Sequence, residues 1–162
     1  MISAAERSAN DQNVATHVKK YGCHVYNVFA SSSGEAPSFS YSIGIYESSG
    51  APEAIVVGLT ADLGEFVVNE YNRRVRAGTR FKRGTLYPGF LEGFSVYIEP
   101  AQAGLLREYT LGCERYYRDK GGYSVAQIVY PTIDGVWPWQ RSASKWFKSN
   151  QPMLGRKRPD RP

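Results

Sequence analysis

The chain has 162 residues, 42% of them hydrophobic and 22% charged, which fits one globular domain with its own core and excludes a disordered or fibrous chain. Lysine and arginine outnumber aspartate and glutamate by 20 to 15, a formal net charge of +5. A net of three of those charges falls in the last seven residues, Arg156–Pro162, so the body is close to balance and argues only weakly for a polyanion partner.

The opening residues are polar and lack the apolar core of a signal peptide, and no run is long and apolar enough to span a membrane. The expectation is a cytoplasmic protein with no membrane partner. The two cysteines, Cys23 and Cys113, then read as reduced, buried small hydrophobes. With two histidines and two cysteines in the whole chain, no metal site is expected, and Cys23-His24 lacks ligand spacing.

In chain order, the first element is a helix over Asn10–Tyr21, capped by Ser8 or Asn10, with Val14, His17, Val18 and Tyr21 at helical spacing and Gly22 at its end. "CHVYNVFA" follows as a strand in which Cys23, Val25, Asn27 and Phe29 share a face. "SSSGEAP" is a turn, and a second strand runs from Ser38 to Tyr46 before the turn "ESSGAP", giving an antiparallel meander. "EAIVVGL", apolar on both faces, reads as a central third strand.

Thr60 then caps a helix whose apolar stripe is Leu63, Phe66, Val67, Tyr71 and Val75, with Arg73, Arg74 and Arg76 in the last turn and Gly78 as its stop. "TRFKRGTLYPGFLEG" is a loop with a short strand or hairpin, and "FSVYIEP" is a strand that Pro100 stops. A helical segment carries Leu105, Leu106, Tyr109, Cys113, Tyr116 and Tyr117, with Gly112 as a possible break. "YSVAQIVYP" is a further strand and "TIDGVWPWQ" an aromatic turn. The fold expected is α+β, a mostly antiparallel sheet of five or six strands with two or three helices on one face. Residues 1–150 form the single domain and 151–162 a basic flexible tail.

"FSYSIGIYESSGAPEAIVVGL", "AGTRFKRGTLYPGFLEGFSVYI", "REYTLGCERYYR", "YSVAQIVYP" and "GVWPWQ" stand in the order and spacing of a bacterial domain-of-unknown-function family, number 4262. The resemblance covers roughly residues 21–140. It implies a small α+β domain and carries no activity. Where the family reads His-Pro-Glu this chain has Ala51-Pro52-Glu53. An acid that follows the proline of the last strand is replaced by Thr132, and a closing Pro-Trp-Glu by Pro138-Trp139-Gln140. Glu53 remains, and Asp134 stands two positions late. A place that would otherwise read as catalytic thus lacks a histidine and two acids.

The residues themselves contain no nucleophile elbow, phosphate loop or zinc-protease motif. No catalytic residue and no cofactor is assigned. His17 reads as packed against the sheet; His24 reads as a structural partner of Glu53 or as half of an acid–base dyad with it. Arginines interleaved with aromatics in "EYNRRVRAGTRFKRG" suit either single-stranded nucleic acid or the basic end of a helix.

In "SFSYSI" the serines alternate with Phe39, Tyr41 and Ile43, leaving a face of hydroxyls and Gly44. Solvent, a closely packed helix or the Trp137–Trp139 segment, or a ligand could lie against it. The function expected is a non-catalytic module binding a small molecule or a protein partner in a pocket shared by Tyr41, Ser42, Gln127, Trp137 and Trp139. The alternatives are a hydrolase-like acid–base enzyme using Glu53 and His24, and, more weakly, nucleic-acid binding through Arg73, Arg74, Arg76, Arg80, Lys82 and Arg83. Any nucleic-acid contact through the tail, Arg156, Lys157 and Arg158, is expected to be non-specific.

Overall fold

A computed structural model describes residues 3–33 and 36–155. The basic residues Arg156, Lys157 and Arg158 lie outside the described residues. The first helix, α1 (Ala4–Tyr21), begins earlier than its apolar spacing indicates. Ser3 accepts from the Glu6 amide and Glu6 reaches back to the Ser3 amide, a capping box written in the sequence as Ser-x-x-Glu. Gly22 ends the helix in the left-handed region.

Six strands follow: β1 (His24–Val28), β2 (Phe39–Ile43), β3 (Glu53–Val57), β4 (Leu86–Leu91), β5 (Phe94–Pro100) and β6 (Val125–Val129). They form one sheet in the order β1-β2-β3-β6-β5-β4. Every neighbouring pair is antiparallel except β3 and β6, which run parallel. β3 is buried along its whole length, as its two apolar faces require.

The second strand ends at Ile43 rather than Tyr46. Gly44 adopts φ 107° and opens a short helix, α2 (Ile45–Ser49). A Cβ at Gly44 would come within 2.4 Å of Val18 Cγ2, so the glycine allows both the turn and the close passage of α1. The break also separates Ile43 and Ile45, which the alternation placed together: Ile43 packs with α1 and Ile45 packs on the opposite side.

Helices cover both faces, not one. On one face α3 (Ala61–Arg76) packs Val67, Val68, Tyr71 and Val75 against Ala54, Val56, Ile98 and Ile128. On the other face α1 and α4 (Leu111–Tyr116) bring Val14, Val18 and Cys113 onto Tyr41, Ile43, Ile55 and Val57. A last short helix, α5 (Lys145–Asn150), buries Phe147 beside Tyr130. The five α-helices among the described residues exceed the two or three expected, because α2 and α5 are too short to leave a helical period in the sequence, while α4 falls within the helical segment expected around Cys113.

The stripe on α3 is also rotated from the sequence reading. Leu63 and Phe66 are 45% and 56% exposed, while Val68 and Asn72 turn inward. The tail boundary moves as well. Gln151 has no exposed surface and brackets Tyr130, accepting from its amide at 3.0 Å and donating to its carbonyl at 2.8 Å. Leu154 enters the core, so residues 151–155 belong to the packed domain.

Candidate functional site

The hydroxyl face of β2 lies against α3. Ser38 Oγ donates to the Leu59 carbonyl at 2.7 Å and Ser40 Oγ to Asn27 Oδ1 at 2.6 Å. A Cβ on Gly64 of α3 would come within 2.3 Å of Ser40 Oγ, so the helix backbone rests directly on the strand. Ser40 and Ser42 are 2% and 0% exposed, which removes both solvent and a guest from that face.

Ser42 is held by Glu53. Its hydroxyl donates to Glu53 Oε1 at 2.7 Å and accepts from the Ala54 amide at 2.9 Å, extending the β2–β3 ladder with a side chain. Glu53 is wholly buried and also accepts from the amides of Gly44 (2.9 Å), Ile45 (3.0 Å) and Tyr46 (3.1 Å) and from the Tyr117 hydroxyl. The three consecutive amides at the start of α2 form a nest for the carboxylate. Burial pushes the Glu53 carboxyl above its ordinary value, and the bonds from Tyr117, Ser42, Tyr46 and Gly44 oppose that push. Burial, followed by the Glu53 charge, drives the Tyr117 phenol upward, so it serves as a neutral donor.

His24 is not a partner of Glu53. Its Nδ1 lies 2.7 Å from His17 Nδ1, with the two rings stacked at 5.0 Å between centroids. A dyad of Glu53 and His24 is therefore not assembled. Gln127, also buried, donates to the Pro152 carbonyl and accepts from the Leu154 amide, tying down the C-terminal segment. Trp137 and Trp139 stack on one another at 5.1 Å and meet Tyr97 of β5 at steep ring angles, in a different part of the sheet from β2. The pocket drawn from Tyr41, Ser42, Gln127, Trp137 and Trp139 is thus dispersed: Ser42 faces α3, while Tyr41 faces the α1–α4 layer.

Tyr41 does line a cavity. Between α1 and α4, over the β1–β2 hairpin, lies a cleft of about 680 Å³. Its floor is Tyr26, Val28, Tyr41 and Ile43, and the walls are set by Val14 of α1 and Leu111 of α4. Asp11 and Arg115 join the walls through a 2.8 Å ion pair. Gly112 lets α4 descend onto the floor: a Cβ there would meet Ile43 Cδ1 and the Tyr41 hydroxyl at 2.7 Å.

Tyr41 is 4% exposed, and its oxygen accepts from the Gly112 amide at 2.9 Å. Its own hydrogen finds no acceptor among the described residues, nor does the Tyr26 hydroxyl find a partner. Burial drives the Tyr41 phenol well above its ordinary value, so it stays protonated and able to donate. Arg118, exposed at the rim, carries no ion pair to a described residue. The arrangement offers two phenolic donors over an apolar floor, with a cation at the edge.

Sequence reasoning missed Tyr26, Gly112 and Arg118. The strand alternation already set Tyr26 and Val28 opposite Cys23 and Val25, which was the available signal. Gly112 read as a helix break, and nothing local marks it as a point of close approach.

Among the described residues no group of three or more His, Cys, Asp and Glu gathers as a metal site. No helix among them is long and apolar enough to cross a membrane. The fold and cleft define an α+β domain with a six-stranded, mostly antiparallel sheet and a side pocket between helices. The profile of the family described as domain of unknown function, DUF4262, matches residues 17–144, and the chain belongs to that family. No curated protein and no solved structure matches it.

Proposed function

We propose that this domain is a non-catalytic binding module that takes a small molecule in the cleft between α1 and α4. The observation that carries this reading is the Tyr41 hydroxyl, nearly inaccessible to bulk solvent yet lining a cleft with its hydrogen unpartnered. A buried donor left without an acceptor costs about 1–3 kcal/mol. A ligand oxygen would recover that cost. The ligand that fits has an apolar body resting on Val28, Ile43 and Leu111 and a carbonyl or carboxylate oxygen facing Tyr41 and Tyr26.

The acid–base alternative loses support from the same geometry. Glu53 has no exposed surface and its oxygens are occupied by donors, so a substrate proton has no route to it. The arginines of the nucleic-acid reading are engaged in the fold. Arg73 and Arg74 pair with Glu70, Arg76 donates to the Tyr21 carbonyl, and Arg80 donates to the carbonyls of Val75, Thr79 and Ser49.

Native mass spectrometry of protein freshly purified from its source cells, paired with NMR titration of benzoate and acetophenone, tests the proposal. The expected result is a retained small mass or saturable shifts at Tyr26, Tyr41 and Leu111. Val28→Trp, at a half-exposed floor position, should abolish either signal while leaving the melting temperature unchanged. Wild-type protein that carries nothing and shows no saturable shift with either probe overturns the reading.

A further inference from the structure

We infer that the crevice beyond the carboxyl ends of β3 and β6 is a self-association surface for a second copy of this chain. These two strands are the parallel pair of the sheet, and a crevice of about 480 Å³ lies beyond their carboxyl ends, between α3 and α5. Leu59, Leu63, Phe94, Ile133, Trp146 and Phe147 line it.

The surface around it is apolar to an unusual degree. Ile133 is 84% exposed and Trp146 71%, on two segments that follow β6, while Leu63 and Phe66 continue the patch along α3 one turn apart. Large apolar side chains scattered singly need no explanation, but Leu63, Ile133 and Trp146, from three segments lining one concavity with Phe66 a turn further along α3, mark an interaction site. The exposed pair on α3 has the same origin. That helix carries a wide apolar arc, and the sheet uses only the part bearing Val67, Val68, Tyr71 and Val75.

Charge placement selects the occupant. Asp62 and Glu65 on α3 and Glu92 in the β4–β5 turn are exposed and make no ion pair with a described residue. Lys145 and Lys148, in the same short helix as Trp146, are likewise exposed and make no ion pair with a described residue. A partner of a single sign would leave one of these sets facing like charge. A two-fold axis satisfies both sets at once. It seats Trp146 of each copy in the crevice of the other and brings each α5 lysine pair to the other copy's acids. Protrusion and concavity, and both signs of charge, sit on one surface, which is the condition for an isologous contact.

Sedimentation velocity and light scattering on the full chain over a wide concentration range test the inference, with circular dichroism as the check on folding. The wild-type protein should approach twice the monomer mass. Trp146→Glu and Ile133→Glu, both at exposed positions, should weaken the dimer about tenfold or more, as loss of an interface anchor does. Lys145→Glu with Lys148→Glu should dissociate it, and adding Asp62→Lys with Glu65→Lys should restore it. A wild-type chain that stays monomeric at every concentration overturns the inference. So does a dimer indifferent to Trp146→Glu and Ile133→Glu.

Discussion

A carboxylate with no exposed surface persists at position 53 because the surrounding chain supplies donors on every side. Left alone in the core, a charged group would neutralise or stay in water. Here Gly44 turns the backbone so that three amides converge on it, and Ser42 and Tyr117 complete the shell. Ser42 is therefore a support for two groups, the carboxylate and the Ala54 amide. Ser42→Leu should strand both, at about 1–3 kcal/mol each, and overpack the contact under α3 by about 1–3 kcal/mol more. Denaturant melts of the variant should show a midpoint well below wild type. An unchanged midpoint would show that Ser42 does not seat Glu53 as described.

At the scale of elements, α1 is fastened to β1 through two imidazoles and to β2 through Val14 and Val18. Nδ1 of one histidine must donate and Nδ1 of the other accept, so the contact requires at least one neutral ring. Burial, and next the charge of His17, hold the His24 imidazole below its ordinary value of 6.5. The folded state then binds a proton less readily than the unfolded chain. The contribution is complete above about pH 6.5 and is lost as the pH falls below it, toward the lowered folded value. Thermal melts should show a fall in melting temperature between pH 7 and pH 5 that His24→Gln flattens. Equal slopes in the two proteins would remove His24 as the source. The contact of α1 with the β1–β2 floor also shapes the cleft, so acidification should loosen the wall that carries Val14.

For the whole molecule, the C-terminal segment closes the domain. Gln151 pairs with the backbone of Tyr130, Gln127 reaches Pro152 and Leu154, and the Leu154 carbonyl accepts from the Gln102 amide. Gly155 fits against Pro100, where a Cβ would approach the carbonyl oxygen to 2.2 Å. A chain ending at Asn150 loses these contacts and exposes the end of the face that holds Val125 and Tyr117. Relative to a chain ending at Gly155, it should melt at a clearly lower temperature, since several buried polar groups lose their partners together. Closely matched melting curves would return residues 151–155 to the status of a tail.

Much of this architecture is legible in the residues alone. Strand-like runs locate five of the strands, Thr60 and the arginines of the last turn delimit α3, and the uniformly apolar "AIVV" makes β3 central. The capping box at Ser3 and Glu6 is equally local, although the apolar spacing drew the cap to Ser8 or Asn10. What the sequence leaves open depends on pairing at a distance. Tyr117 meets Glu53 across 64 positions and Gly112 meets Tyr41 across 71, and no local period encodes either contact. For the same reason the serine face reads first as a seat for a helix or the Trp137–Trp139 segment, and next as a groove, until α3 is placed upon it. The turn of α3 is decided likewise. Its apolar arc is wider than the sheet can cover, and only the sheet's position tells Val68 to enter the core and Phe66 to face outward.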